Sequence, residues 1–110
     1  MVDGMIEAVT DSFEAARVLA AQHAQTPFPP CRGEEIDGVD LVLTDMYLHG
    51  CALHFLGKPF GSDERQLGIL RSVAGDLDRI VHHLPPEWSD FFVEGQSLAH
   101  ALLAGLGESM

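Results

Sequence analysis

The side chains best able to do chemistry crowd into one short stretch: Asp45, Tyr47, His49, Cys51 and His54. Carboxylate, imidazole and thiol are the groups that move protons, attack electrophiles and ligate metals. Asp45 and His49 are four residues apart, so on a helix they project the same way and can hold one edge of a metal ion. The same pair also suits a histidine oriented by a carboxylate, because buried polar groups are normally hydrogen-bonded in place. His49 and His54 lie about 140° apart around a helix, so an unbent helix cannot give both to one ion. Asp45, His49 and His54 are the candidate metal ligands under that restriction. Cys51 beside His49 or His54 is the candidate thiolate pair. His49-Gly50-Cys51 matches no nucleophile motif, and an acidic chain makes a poor electropositive niche for a thiolate. No catalytic residue is assigned; His49 and Cys51 would be the first to substitute in a search for activity.

Other reactive residues point away from a built centre. Asp78 and His82 repeat the four-residue spacing, but His82 falls about 130° from the middle of its helix's apolar stripe and should face water. The Glu-x-x-His pattern of carboxylate-bridged metal bundles is absent. Cys31 and Cys51 show neither CxxC pairing nor a zinc-type spacing with histidine. Gly33, Gly38, Gly50 and Gly57 lack phosphate-loop or dinucleotide spacing. No cofactor is expected.

Helices must position these groups. Met5, Ile6, Val9, Phe13, Ala16, Leu19 and Ala20 recur at helical steps over residues 4–25, until the prolines of Thr26-Pro27-Phe28-Pro29-Pro30 stop the pattern. The second segment, residues 37–56, is apolar on two sides. Val39, Val42, Leu43, Met46, Gly50 and Leu53 form one stripe, and Leu41, Leu48, Ala52 and Phe55, beside Thr44 and Cys51, form another nearly opposite. A strand over residues 39–44 competes, because Val-Asp-Leu-Val-Leu-Thr is β-compatible. Ser62 caps a third helix with Asp63 and Glu64 in its first turn, and Leu67, Leu70, Val73, Ala74, Leu77, Ile80, Val81 and Leu84 line one face. Pro85-Pro86 closes it. Pro86 opens a fourth helix carrying Trp88, Phe91, Phe92, Leu98, Leu102 and Leu106, with Gly95 allowing close contact. Short connections favour antiparallel neighbours. The expected fold is all-α: one domain, residues 1–110, built as an up-and-down bundle of about four helices. Its second helix is either central or at a dimer interface.

Composition limits the function. Six basic residues face seventeen acidic ones, giving a net charge of −11, which opposes unaided binding to nucleic acid or to an anionic membrane. No apolar run approaches the roughly 20 residues of a membrane span. Without a secretory signal the expected compartment is a reducing cytoplasm with both thiols free. The lack of asparagine and the single lysine, Lys58, fit the bias of GC-rich bacterial genomes. The expected function is a non-enzymatic protein–protein interaction or regulatory module, acidic and homodimeric, with acidity suited to a basic protein partner. Its expected interface is the stripe of Leu41, Thr44, Leu48, Cys51, Ala52 and Phe55, and Leu48→Glu is expected to give a monomer. The alternative is a small-molecule or metal-binding bundle using Asp45, His49, Cys51 and His54.

Overall fold

A computed structural model describes residues 12–57 and 61–107, and proline, glycine and capping residues cut these into four helices and one small hairpin. The expectations for residues 4–11, 58–60 and 108–110 lie outside the described residues. The helices are α1 (Glu14–Gln25), α2 (Leu41–Leu56), α3 (Asp63–Ile80) and α4 (Pro86–Gly105), and the hairpin strands are β1 (Glu35–Ile36) and β2 (Val39–Asp40). The fold is an all-α bundle, as the apolar periodicities require.

α1 stops at Thr26, which is extended, ahead of the proline loop. Its first turn rests against the end of α4. Ser12 donates to the Gly105 carbonyl at 2.9 Å, and a Cβ at residue 105 would collide with the Phe13 ring. Glycine is therefore required there by close approach.

The segment between the proline loop and α2 differs from expectation. The helix expected from residue 37 begins at Leu41, and residues 35–40 form an antiparallel hairpin pairing Glu35 with Asp40 and Ile36 with Val39. Asp37 and Gly38 both take positive φ, 54° and 79°, which is the two-residue turn that matches strand twist. Asp and Gly tolerate that conformation, so local turn chemistry overrides helical periodicity. The competing strand over residues 39–44 is present only as Val39–Asp40. Asp40 then caps α2: its Oδ1 accepts from the Leu43 amide at 3.0 Å.

α3 starts on Ser62, whose Oγ accepts from the Arg65 amide at 3.0 Å. Leu70, Val73, Ala74, Leu77 and Ile80 are buried along it, the stripe the sequence shows. Its α-helical part ends at Ile80, and a single 3-10 turn, Val81–His83, replaces the last helical turn expected to Leu84. Pro86 opens α4 at its first position, where a missing amide hydrogen costs nothing. α3 packs on both α2 and α4, and α1 packs chiefly on α4 while touching α2 lightly. Gly95 of α4 is the close-contact point the sequence suggests. A Cβ there would lie 3.2 Å from Leu48 Cδ2 and 3.6 Å from His23 Nε2.

α2 settles which flank faces inward. Leu41, Thr44, Leu48 and Cys51 are buried in this chain's own core, and Ala52 and Phe55 pack half-buried against it. The expected interface residues are thus core residues, and Leu48, 2 % exposed, cannot carry a glutamate without a buried charge. The other stripe is open: Leu43, Met46, Tyr47 and Leu53 are 45, 60, 52 and 64 % exposed. α2 is therefore not enclosed on all sides. The reason is that a helix apolar all round fits a core by either flank, and the neighbouring stripes on α3 and α4 choose between them.

Candidate functional site: a histidine–carboxylate cluster and an open apolar flank

Two regions of α2 hold the side chains of interest. The first joins α1, α2 and α4. His23 of α1 occupies the position after Ala16, Leu19 and Ala20 where the apolar stripe would continue, and it is 2 % exposed. Its Nδ1 donates to Glu94 Oε1 of α4 at 2.6 Å. Its Nε2 lies 3.5 Å from Asp45 Oδ1 of α2 and makes no hydrogen bond among the described residues. His49, one turn along α2, brings its Nε2 to 3.4 Å from Asp45 Oδ2 and stacks its ring on that of His23, centroids 5.8 Å apart. Phe91 closes another side of His23 at 4.4 Å between centroids.

The charges in this cluster support one another. Burial alone would lower the His23 pKa, but Asp45 and Glu94 on either side outweigh it and raise it. Burial pushes Asp45 up, yet His23 and His49 pull it below the usual carboxylate range. His23 likewise holds Glu94 down. His23, Asp45 and His49 each offer one nitrogen or oxygen, all within 4.8 Å of one another, the one such trio among the described residues.

The candidates named from the sequence divide. Asp45 and His49 meet as their spacing predicts. His54 does not join them: it is buried, and its Nε2 donates to Asp63 Oδ1 at 2.7 Å, fastening the last turn of α2 to the first turn of α3. Cys51 is buried elsewhere, its Sγ 3.7 Å from the Gln66 carbonyl, and burial pushes its thiol up to about 11. Cys31 is also buried, and burial followed by the charges of Glu34 and Asp45 raises its pKa. Neither thiol has the lowered pKa that a nucleophile requires. Asp78 accepts from Gln96 at 2.8 Å and from His100 at 2.7 Å, while His82 is exposed, as its helical angle implies. Sequence spacing missed His23 and Glu94. The one available signal for His23 is a histidine standing where α1 calls for an apolar side chain.

The second region is the open flank of α2. Leu43, Met46, Tyr47 and Leu53 run along it without a charged residue among them. Hollows of about 520 and 390 Å³ lie on either side of Tyr47, between α2 and α3, and Arg65 lines both. Arg79, bridged to Asp37 at 3.3 Å and Asp76 at 3.4 Å, marks the far end of the larger one.

Over the described residues, fold and sites define a bundle of four helices, in an acidic chain, with an uncovered apolar flank and a histidine–carboxylate cluster. Compared with protein-family models, with curated proteins and with solved structures, the chain matches none. No described helix is long and apolar enough to cross a membrane.

Proposed function

We propose that this protein is a non-enzymatic interaction module that works as a two-fold dimer of itself, joined through the open flank of α2. The observation that carries the reading is the row of Leu43, Met46, Tyr47 and Leu53, all 45 % exposed or more on one side of one helix. Single exposed apolar residues are ordinary, but a contiguous row marks a surface that other protein covers.

Charge favours a second copy as the cover. A chain of net charge −11 repels its own kind, so two copies meet best where acids are absent. The row on α2 is uncharged. Arg65 lines both hollows beside it, near Tyr47, and the far end of the larger one holds Asp40 together with Asp76, which Arg79 already pairs. A two-fold axis near Tyr47 sets Arg65 of each copy toward Asp40 of the other, an arrangement that is self-complementary. The remaining acidic surface stays free for a basic protein partner. The buried thiols, with raised pKa values, support the non-enzymatic part of the reading.

Light scattering with size separation tests this at rising concentration. The wild type is expected to be a dimer. Tyr47→Glu and Met46→Glu are expected to be monomers with unchanged helical content, and Arg65→Glu to weaken the dimer about tenfold, the effect of one lost charge pair turned repulsive. A wild type that stays monomeric at high concentration, or a dimer indifferent to Tyr47→Glu, ends the proposal.

A further inference from the structure

We propose that His23, Asp45 and His49 bind one divalent transition-metal ion, with Glu94 holding His23 in the ligating orientation. The site would fasten α1 to α2 and leave part of the ion's coordination sphere open to solvent. This inference stands apart from the dimer reading, because none of its residues belongs to the open row of α2.

His23 is the buried member of the trio. Its side chain is 1 % exposed, and Nε2 is a buried polar atom without a hydrogen bond among the described residues. Such atoms are costly to leave unsatisfied, so their presence in a core needs a cause. Glu94 supplies half of it. A carboxylate only accepts, so His23 Nδ1 carries the proton toward Glu94 at 2.6 Å. Once the ring has lost its second proton, Nε2 presents a lone pair, and it faces the carboxylate oxygen of Asp45 at 3.5 Å. Two electron-rich atoms facing each other in a protein interior call for a positive charge between them, either the ring's second proton or a metal ion.

The spacing suits a metal better than a proton. A charge-assisted hydrogen bond closes to about 2.7–2.9 Å. The Asp45 contacts with His23 and His49 stay at 3.5 and 3.4 Å. Two atoms each about 2.1 Å from a tetrahedral ion stand about 3.4 Å apart, which is the edge of such a site. No pair in the trio is farther apart than 4.8 Å. His49, at 47 % exposure, is the least enclosed of the three.

The donor set selects the ion. Two imidazoles and one carboxylate suit Zn²⁺, Fe²⁺, Co²⁺ or Ni²⁺, whereas Mg²⁺ and Ca²⁺ prefer all-oxygen sites. A carboxylate on the far nitrogen of a ligating histidine is the usual outer partner, fixing the ring and raising its basicity, and Glu94 stands in that place. Three protein ligands leave at least one position for water or a small ligand, and exposure rising from His23 to His49 places it on the His49 side. Because α1 touches α2 only lightly, the ion would supply much of the link between them.

The test uses the full chain stripped with a chelator, then titrated with Zn²⁺ by calorimetry and with Co²⁺ by visible absorption. One equivalent of each is expected to bind, with Co²⁺ giving the intense bands of a four-coordinate site. His49→Ala, half-exposed and safe for folding, is expected to weaken binding at least tenfold. Glu94→Gln is expected to weaken it by about 10–100-fold, the usual effect of losing an outer-shell partner. His100→Ala, at a half-buried pair elsewhere, leaves it unchanged. Should His23→Gln fail to fold, the ¹⁵N shifts of His23 in the wild type still report ligation, moving on Zn²⁺ addition. Absence of stoichiometric binding, or binding equally strong in His49→Ala, overturns the proposal. Unchanged affinity in Glu94→Gln removes Glu94 from its positioning role.

Discussion

The two flanks of α2 are similar in sequence and opposite in circumstance. One carries Leu41, Thr44, Leu48 and Cys51 into the core, and the other leaves Leu43, Met46, Tyr47 and Leu53 in solvent. Leucine stands on both, so residue type does not separate them. What separates them is the company each keeps. The inner flank meets Gly95, whose missing side chain lets α4 close on Leu48. Among the described residues, the outer flank borders the hollows beside α3. Asp45 and His49 lie at the border between the two, half in the core with His23 and half at the surface. A helix that is apolar all round thus gives one face to its own fold and keeps one for something else.

Substitutions on the two flanks should differ most where charge is introduced. Leu48→Glu places a carboxylate at a site 2 % exposed and is expected to cost about 4 kcal/mol or more, enough to unfold a domain of ordinary stability. Met46→Glu, at 60 % exposure, should change monomer stability by no more than about 0.5 kcal/mol. Urea denaturation at low protein concentration compares them. A folded Leu48→Glu protein would mean that the flanks are assigned the wrong way round. The next contrast is between two helical glycines. At Gly95 a Cβ meets Leu48 at 3.2 Å and His23 at 3.6 Å, so Gly95→Ala should lose about 1 kcal/mol once overpacking exceeds the gain in helix propensity. At Gly50, on the outer side, a Cβ meets nothing within 4 Å, and Gly50→Ala should gain up to about 1 kcal/mol. The same denaturation experiment reads both signs, and equal signs would dissolve the contrast.

Much of the bundle was legible because proline and periodicity are local. The stripe of α3, the stop at Pro27 and the start at Pro86 need only neighbours along the chain. The hairpin was legible in principle, since Asp37-Gly38 is a strong turn signal, but the flanking valines and leucines also fit a helix. The inner flank of α2 was not legible, because the choice between two apolar stripes is made by other helices. The cluster was half legible. Asp45 and His49 are joined by helical spacing, whereas His23 and Glu94 reach them from α1 and α4, at separations no sequence pattern marks. His54 looked equivalent to His49 by composition, and only the position of Asp63 at the head of α3 shows it to be a tie between helices.

The smallest effect concerns pH, and it distinguishes the cluster from the open flank, which carries no titrating pair. In metal-free protein His23 has a folded pKa raised above its ordinary value of 6.5. A raised histidine binds its proton more tightly when folded, so its contribution is complete below pH 6.5 and fades as pH climbs through the folded value. Asp45 and Glu94 are lowered from 3.8 and 4.5, so theirs is complete above those values and fades as pH falls through the folded ones. Melting temperature should therefore be highest between about pH 4.5 and 6.5 where both contributions overlap, and decline on either side. Glu94→Gln removes one partner of His23 and should flatten the alkaline decline, while Tyr47→Glu should leave the shape of the curve intact. Adding Zn²⁺ should move the maximum upward in pH, because an ion and a proton compete for His23 Nε2 and the ion prevails once the proton is scarce. A wild-type curve that keeps rising from pH 6.5 to 8 without metal would place the neutral ring, not the imidazolium, as the stable partner of the two carboxylates.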